Sequence, residues 1–211
     1  MTPSLTKIGK MLSLLALFLG ALETASAGAQ EQGKLSEFKD DAYAYRFLYP
    51  TEWKLESLPD GEKNPAMRVR LQGPGGSSFV VVVEKTGQPL SKLEFQADPQ
   101  AKKRVETMMR QTLEQTYRAI SKNLGALSMK TGERLNLTDD SGVKFYLATL
   151  NQMKTGSPVV LAGTHVFPFS KDYSLNFIMT ALHRGDPQEA QILTAVFNSF
   201  RLVDSSPAPP K

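Results

Sequence analysis

The chain has 211 residues, with 25 lysines and arginines against 21 acids, two histidines, one tryptophan and no cysteine. The missing cysteines exclude disulfides, thiolate metal sites, a cysteine nucleophile and a lipid-anchored bacterial cysteine. A net charge of +4 with 41 % hydrophobic residues fits one globular domain with short flanks, and is too mild a bias to argue for nucleic acid.

Lys7 and Lys10 precede an apolar run from Met11 to Leu22, and Ala25-Ser26-Ala27 follows it. A positive start, a short apolar stretch and a small-residue cleavage site predict a signal peptide over 1–27, leaving Gly28 first in the mature chain. The run falls well short of the roughly 20 apolar residues a membrane span needs, so no stable membrane insertion is expected after cleavage. Export to the periplasm is the expectation, with the extracellular space or the thylakoid lumen as alternatives. Residues 28–37 read as a flexible tether, 38–203 as the folded domain, and 204–211 as a disordered proline-rich tail.

Within the domain, strands come first. Tyr43, Tyr45, Phe47 and Tyr49 alternate with smaller or polar residues in an aromatic-rich strand stopped by Pro50. Trp53 and Leu55 continue it to a turn at Leu58-Pro59-Asp60-Gly61. Met67, Val69 and Leu71 alternate with Arg68 and Arg70, which predicts one dry and one wet face. A Gly73-Pro74-Gly75-Gly76 turn then leads into Phe79-Val80-Val81-Val82-Val83, an apolar run read as buried on both faces and central.

The middle is helical. Ser91-Lys92-Leu93-Glu94 is a capping-box pattern, and Asp98-Pro99 pairs a cap with a proline that loses no hydrogen bond in the first turn. Val105, Met108, Met109, Thr112, Leu113, Thr116 and Ile120 fall on one face of a long helix that Asn123-Leu124-Gly125 ends. Two predicted hairpins follow, 134–138 with 143–153 around Asp139–Gly142, and 159–169 with 173–183 around Ser170–Asp172. Asp186-Pro187 opens a last helix with Ile192, Leu193, Val196, Phe197 and Phe200 on its apolar face. Short connections predict an antiparallel sheet with helices on its faces.

Two segments carry a family resemblance. Tyr45-Arg46-Phe47-Leu48-Tyr49-Pro50-Thr51-Glu52-Trp53 is similar to the aromatic strand, Tyr-Pro and following Trp that open PsbP-type domains. Ile192-Leu193-Thr194-Ala195-Val196-Phe197-Asn198-Ser199-Phe200 resembles their terminal helix, which commonly ends in Ser-Phe. The element order between them is also similar, so the resemblance spans Phe38 to Val203. It implies an α+β fold, a PsbP-like α/β/α sandwich whose central antiparallel sheet is flanked by helices. That fold is shared by the photosynthetic PsbP proteins, the Ran-binding Mog proteins and many exported bacterial proteins, which are mostly non-enzymatic accessory or binding proteins.

No motif nominates a catalytic site, a metal site or a cofactor. His165 and His183 fall in the two strands of the last hairpin, facing roughly Phe177 and Val159, too far apart to share a metal; they read as surface or hydrogen-bonded histidines. The glycine-rich turn lacks the Gly-Lys-Ser/Thr ending of a phosphate loop, and Asp139-Asp140-Ser141-Gly142 lacks the alternating ligands of a calcium loop. The long helix offers a candidate partner surface in Lys103, Arg110 and Arg118, although Glu106 and Glu114 interrupt its charge. The leading expectation is an exported non-catalytic accessory or binding protein acting on a protein or complex of the cell envelope, without nucleic acid. Two other readings stay open: a photosystem II-associated lumenal protein in a photosynthetic source, and an exported hydrolase whose site is assembled by folding.

Overall fold

The computed structural model describes residues 34–58, 66–85, 89–170 and 175–203. The expected signal peptide, the proline-rich tail and the tips of the turns at 59–61 and 171–172 lie outside the described residues. The strands are β1 (Leu35–Asp40), β2 (Tyr45–Pro50), β3 (Lys54–Ser57), β4 (Ala66–Gln72), β5 (Ser78–Lys85), β6 (Ala126–Asn136), β7 (Gly142–Met153), β8 (Pro158–Pro168), β9 (Leu175–His183) and β10 (Arg201–Leu202). Between β5 and β6 run helices α1 (Lys92–Ala97) and α2 (Pro99–Asn123), and between β9 and β10 runs α3 (Pro187–Ser199).

Two sheets form, in the orders β1-β2-β10 and β3-β4-β5-β9-β8-β7-β6. Every strand pair is antiparallel, as the short connections require. β1 begins at Leu35, so the last residues of the expected tether are paired chain, with Leu35 opposite Pro50 and Glu37 opposite Leu48. Its Leu-Ser-Glu start is polar, and only pairing with β2 orders it. β6 likewise starts at Ala126, ahead of the predicted strand at 134. It is the last strand of the large sheet and mostly exposed, with register shifts at 126/128 and 131/134, so it carries no clean alternation.

Local capping sets the helices. The Ser91 side chain accepts from the Glu94 amide and bonds the Glu94 carboxylate at 2.7 Å, while Asp98 caps α2 through the Gln100 amide. Gly125, at φ +71°, ends α2 in the left-handed conformation that favours glycine. Asp186 caps α3 through the Gln188 and Glu189 amides.

The buried row of α2 is Met109, Leu113, Tyr117 and Ser121, each four residues from the last. This corrects the predicted face: Met108 is 39 % exposed, and Tyr117 is fully buried instead. Gly163 of β8 makes room for Tyr117, since a Cβ there would collide with the tyrosine hydroxyl and the Met179 carbonyl oxygen. Ser121 donates to the Asn151 side-chain oxygen, and Asn151 in turn donates to Thr149 and the Val159 carbonyl.

Two apolar clusters lie on opposite faces of the large sheet, as alternation along β9 shows. Phe177, Met179 and Ala181 join Tyr45, Phe47, Trp53, Phe79, Val81 and α3. Ile178 and Leu182 turn instead toward the cluster of Phe95, Met109, Leu113, Tyr117, Phe145, Leu147 and Leu161 under α1 and α2. β5 is an inner strand, as expected, but its two faces differ: Phe79, Val81 and Val83 are buried, whereas Val80 and Val82 are half-buried.

β4 departs from strict alternation. A bulge sets Met67 opposite Val82 and Val69 opposite Val81, leaving Arg68 as the extra residue. Arg68, expected on the wet face, is buried, and Met67, expected on the dry face, is exposed. Arg68 Nε donates to Asp40 Oδ2 at 3.0 Å, and its guanidinium lies 4.9 Å from the Tyr43 ring centroid. Asp40 Oδ1 accepts the Ala42 and Tyr43 amides. A buried ion pair thereby ties β1 of the small sheet to β4 of the large one.

Candidate functional site

Lys103, Arg110 and Arg118 all stand exposed on the outer side of α2, spaced along it by about 10 and 12 Å. The sequence makes this face mixed in sign; folding separates the signs. Lys102, Lys103, Arg104, Arg110, Arg118 and Lys122 are exposed, whereas Glu106 and Glu114 are half-buried. Glu114 is held by Arg134 of β6 at 2.8 Å, and Arg104 by the capping Asp98 at 3.2 Å. Among the described residues Lys103, Arg110 and Arg118 make no ion pair, so the face they share is electropositive. Hydrogen bonds from the Ala101 and Gln100 amides, followed by the nearby Arg104 charge, hold the Asp98 carboxyl below the usual range. The helix start therefore stays capped in mild acid.

On its other flank α2 borders an apolar groove of about 370 Å³. The floor is the half-covered face of the large sheet: Met67 of β4, Val80 and Val82 of β5, Ile178 and Leu182 of β9. Thr116 and Ile120 of α2 form one wall, and the polar groups of the lining are the hydroxyls of Ser78, Thr116 and Thr180. The sequence reading missed this site. The run Phe79–Val83 has no polar residue to mark an open face, and Met67 changes faces only through the bulge at Arg68.

The histidines do not form a site. His165 pairs with Ile178 and His183 with Val160, one residue from the expected partners, because the hairpin centre is shifted. Neither is on the surface. His165 is 1 % exposed beside the Met109 backbone, and burial drops its pKa to about 4. His183 is also buried and accepts the Gly185 amide at Nδ1; burial lowers its pKa, against the raising effect of Glu189 and Asp186. Among the described residues no group of three or more histidine or carboxylate side chains could hold a metal ion. The glycine-rich turn is a hairpin element: Gly73 lies against the Trp53 indole, and a β-carbon there would overlap the ring. Among the described residues, no helix is long and apolar enough to cross a membrane.

No family model and no curated relative matches the chain. Solved structures do. The Ran-binding protein Mog1p of Saccharomyces cerevisiae is 10 % identical over 82 % of this chain and 97 % of its own, with a TM-score of 0.51. A Mog1 mutant matches at 10 % identity over the same shares, with a TM-score of 0.50. Cyanobacterial PsbP (CyanoP) from Synechocystis sp. PCC 6803 is 14 % identical over 84 % of this chain and 97 % of its own, with a TM-score of 0.48. At these identities the likeness is one of fold, and it extends across nearly all of the described chain. With a mostly antiparallel sheet and three α-helices among the described residues, this chain has the PsbP-like α+β fold that Mog1p shares.

Proposed function

We propose that this chain is an exported, non-catalytic accessory protein that binds a protein or complex of the cell envelope through the basic outer face of α2. The single observation that carries the proposal is the charge separation on α2. With Glu114 paired to Arg134, Lys103, Arg110 and Arg118 face outward with no ion-pair partner among the described residues. Such a face steers an acidic partner and costs the fold nothing to maintain. Mog1p, of the same fold, is a Ran-binding protein, so this scaffold is compatible with protein recognition. The two clusters on opposite sheet faces fit an α/β/α sandwich, in which the outer side of a helix is the natural place for a partner. Export rests on the basic and apolar segment before Ala25-Ser26-Ala27.

The test is capture from the native envelope by the mature chain and by a Lys103→Glu, Arg110→Glu, Arg118→Glu triple variant. Wild type retains a partner whose yield falls as salt rises, and the triple variant loses it at an unchanged melting temperature. An identical partner set for both proteins rejects the α2 face. Recovery of the full-length chain, rather than one starting at Gly28, from the membrane fraction rejects export.

A further inference from the structure

The large sheet ends in a strand that is open along one side. We infer that β6 receives an extended, acidic segment of a protein partner as an eighth, antiparallel strand, with carboxylates beneath the basic row of α2. The inference deepens the reading above: it rests on an acidic protein partner and names the element by which that partner docks.

Backbone direction identifies the open groups. β6 pairs with β7 alone, so its other side has no hydrogen-bonded neighbour among the described residues. The Leu137 amide donates to the Lys144 carbonyl, which turns the even residues of β7 toward β6. β7 pairs with β8 without a register shift, so this alternation holds along its length. Phe145, Leu147, Thr149 and Asn151 therefore turn their backbone groups toward β8. Their β6 partners Asn136, Arg134, Thr131 and Met129 turn amides and carbonyls outward. An added strand satisfies those groups, and a docked helix does not.

β6 is also long for an exposed edge. It has 11 residues and no proline, whereas β3 at the opposite edge has 4. Its guards are Lys130 and the bulge between Thr131 and Arg134. The bulge divides the open side into two short ladders, Met129 with Thr131 and Arg134 with Asn136. The first of these lies beside unpaired cations.

Charge selects the segment. The outward-turned residues of β6 share the α2 side of the sheet, where Met129, Phe145 and Leu147 pack under the helix. Side chains of an added strand opposite them share that side too. Ser121 bonds Asn151, the partner of Met129, and Glu114 bonds Arg134, so the helix from 114 to 121 runs beside this stretch. Arg118 and Lys122 are one and two turns beyond Glu114, in the same row above β6. Among the described residues neither has an ion-pair partner. The acids around them are placed elsewhere or paired. Glu114 is held by Arg134, and Glu106 is about 18 Å from Arg118 along the helix. Glu133 is half-buried on the opposite face, where burial and then the Glu133 charge raise the Tyr146 pKa. Asp139 and Asp140 are paired with Lys144 and Lys92. An extended segment with acids at alternate positions is matched here, and one with lysines is repelled. The same charges oppose a second copy, because twofold β6–β6 pairing sets two basic rows on one face of the joined sheet.

The test uses dye-labelled peptides of about eight residues that alternate glutamate with valine, and a counterpart with lysine for glutamate. Two further acidic peptides carry N-methyl groups, one on its central glutamate amides and one on its central valine amides. Glutamates opposite Met129 and Thr131 exchange backbone bonds with them, so methylation there blocks pairing, while the valine amides face away. Fluorescence anisotropy with the mature chain is expected to show the acidic peptide binding at tens of micromolar. The lysine and glutamate-methylated peptides should bind at least about tenfold more weakly, and the valine-methylated one within about twofold. Thr131→Pro removes an outward amide that no strand of the protein uses, a change edge strands accept. It should weaken acidic-peptide binding about tenfold at an unchanged melting temperature. Arg118→Glu with Lys122→Glu should invert the preference between the glutamate and lysine peptides.

Absence of binding to wild type, equal binding of the two methylated peptides, or an unchanged preference in the charge variant overturns the inference. So does a dimer in sedimentation that Thr131→Pro dissolves, because the occupant is then a second copy. If Thr131→Pro keeps the envelope partner that the α2 triple variant loses, strand addition falls and the proposed function stands. If the peptides bind as expected while the triple variant keeps its partner, β6 stands as a strand-binding edge and the envelope role of the α2 face falls.

Discussion

The two faces of β4, β5 and β9 differ more than their sequences suggest. On one face Val69, Leu71, Phe79, Val81, Phe177 and Ala181 are at most 1 % exposed, roofed by β1, β2 and α3. On the other, Val80, Val82, Ile178 and Leu182 come from the same strands and are half-buried. Covering is supplied by distant elements, and α2 reaches only as far as β7 and β8. The roofed face therefore carries most of the stability, and the open one leaves its apolar side chains partly accessible.

Removing the largest side chains of the roofed face should do the most damage. Trp53, 3 % exposed and lying against Gly73, packs where the small sheet meets the large one. Trp53→Ala is expected to cost roughly 3–5 kcal/mol in a denaturant titration, the range for a buried aromatic. A loss below about 1 kcal/mol would erase the contrast between the faces.

The ion pair beneath that roof comes next. Asp40→Ala leaves Arg68 buried without its carboxylate, at an expected cost of about 3–4 kcal/mol. In a double-mutant cycle, Asp40→Ala with Arg68→Met should be milder than the sum of the singles, because no lone charge stays inside. Additive losses would show that the pair does not couple the two sheets.

The α2-covered part of the other face has a pH signature. Folded His165 titrates at about 4 against 6.5 when free, because burial disfavours its cation. Above pH 6.5 it is neutral in both states and contributes no pH dependence. As pH falls from 6.5 to about 4 the unfolded chain binds the proton and the folded chain does not, so stability declines by about 3 kcal/mol and then levels. His165→Leu should remove this part of the slope, while His183, shifted in the same direction, remains in both proteins. Parallel stability–pH curves for the two proteins would refute it.

The smallest effect is the sharpest comparison. Val81→Ala on the roofed face should cost about 2 kcal/mol, and Val82→Ala, its neighbour on the open face, less than about 1 kcal/mol, measured on one denaturant series. Equal losses would mean the groove is part of the core.

Much of the architecture was legible in the residues. The capping pairs Ser91/Glu94, Asp98-Pro99 and Asp186-Pro187 open helices as their chemistry requires, and the hairpin order yields an antiparallel sheet. Periodicity located α2 but set its buried face slightly to one side, placing Met108 inside and omitting Tyr117 and Ser121 from the buried row. The candidate basic residues were legible as exposed positions. The pairing of Glu114 with Arg134, which makes their face electropositive, was not, because Arg134 comes from a strand beyond the helix.

The sequence by itself determined the helices and most of the strands, because caps, turns and apolar spacing act within a few residues of chain; the starts of β1 and β6 were set by pairing with their neighbours. Tertiary structure alone decided the bulge at Arg68, the exposure of Met67, the reach of α2 across the sheet and hence the groove. An all-apolar strand such as Phe79–Val83 offers two equivalent faces to any cover. Which of them stays open depends on elements far away in sequence, through contacts that no local pattern encodes.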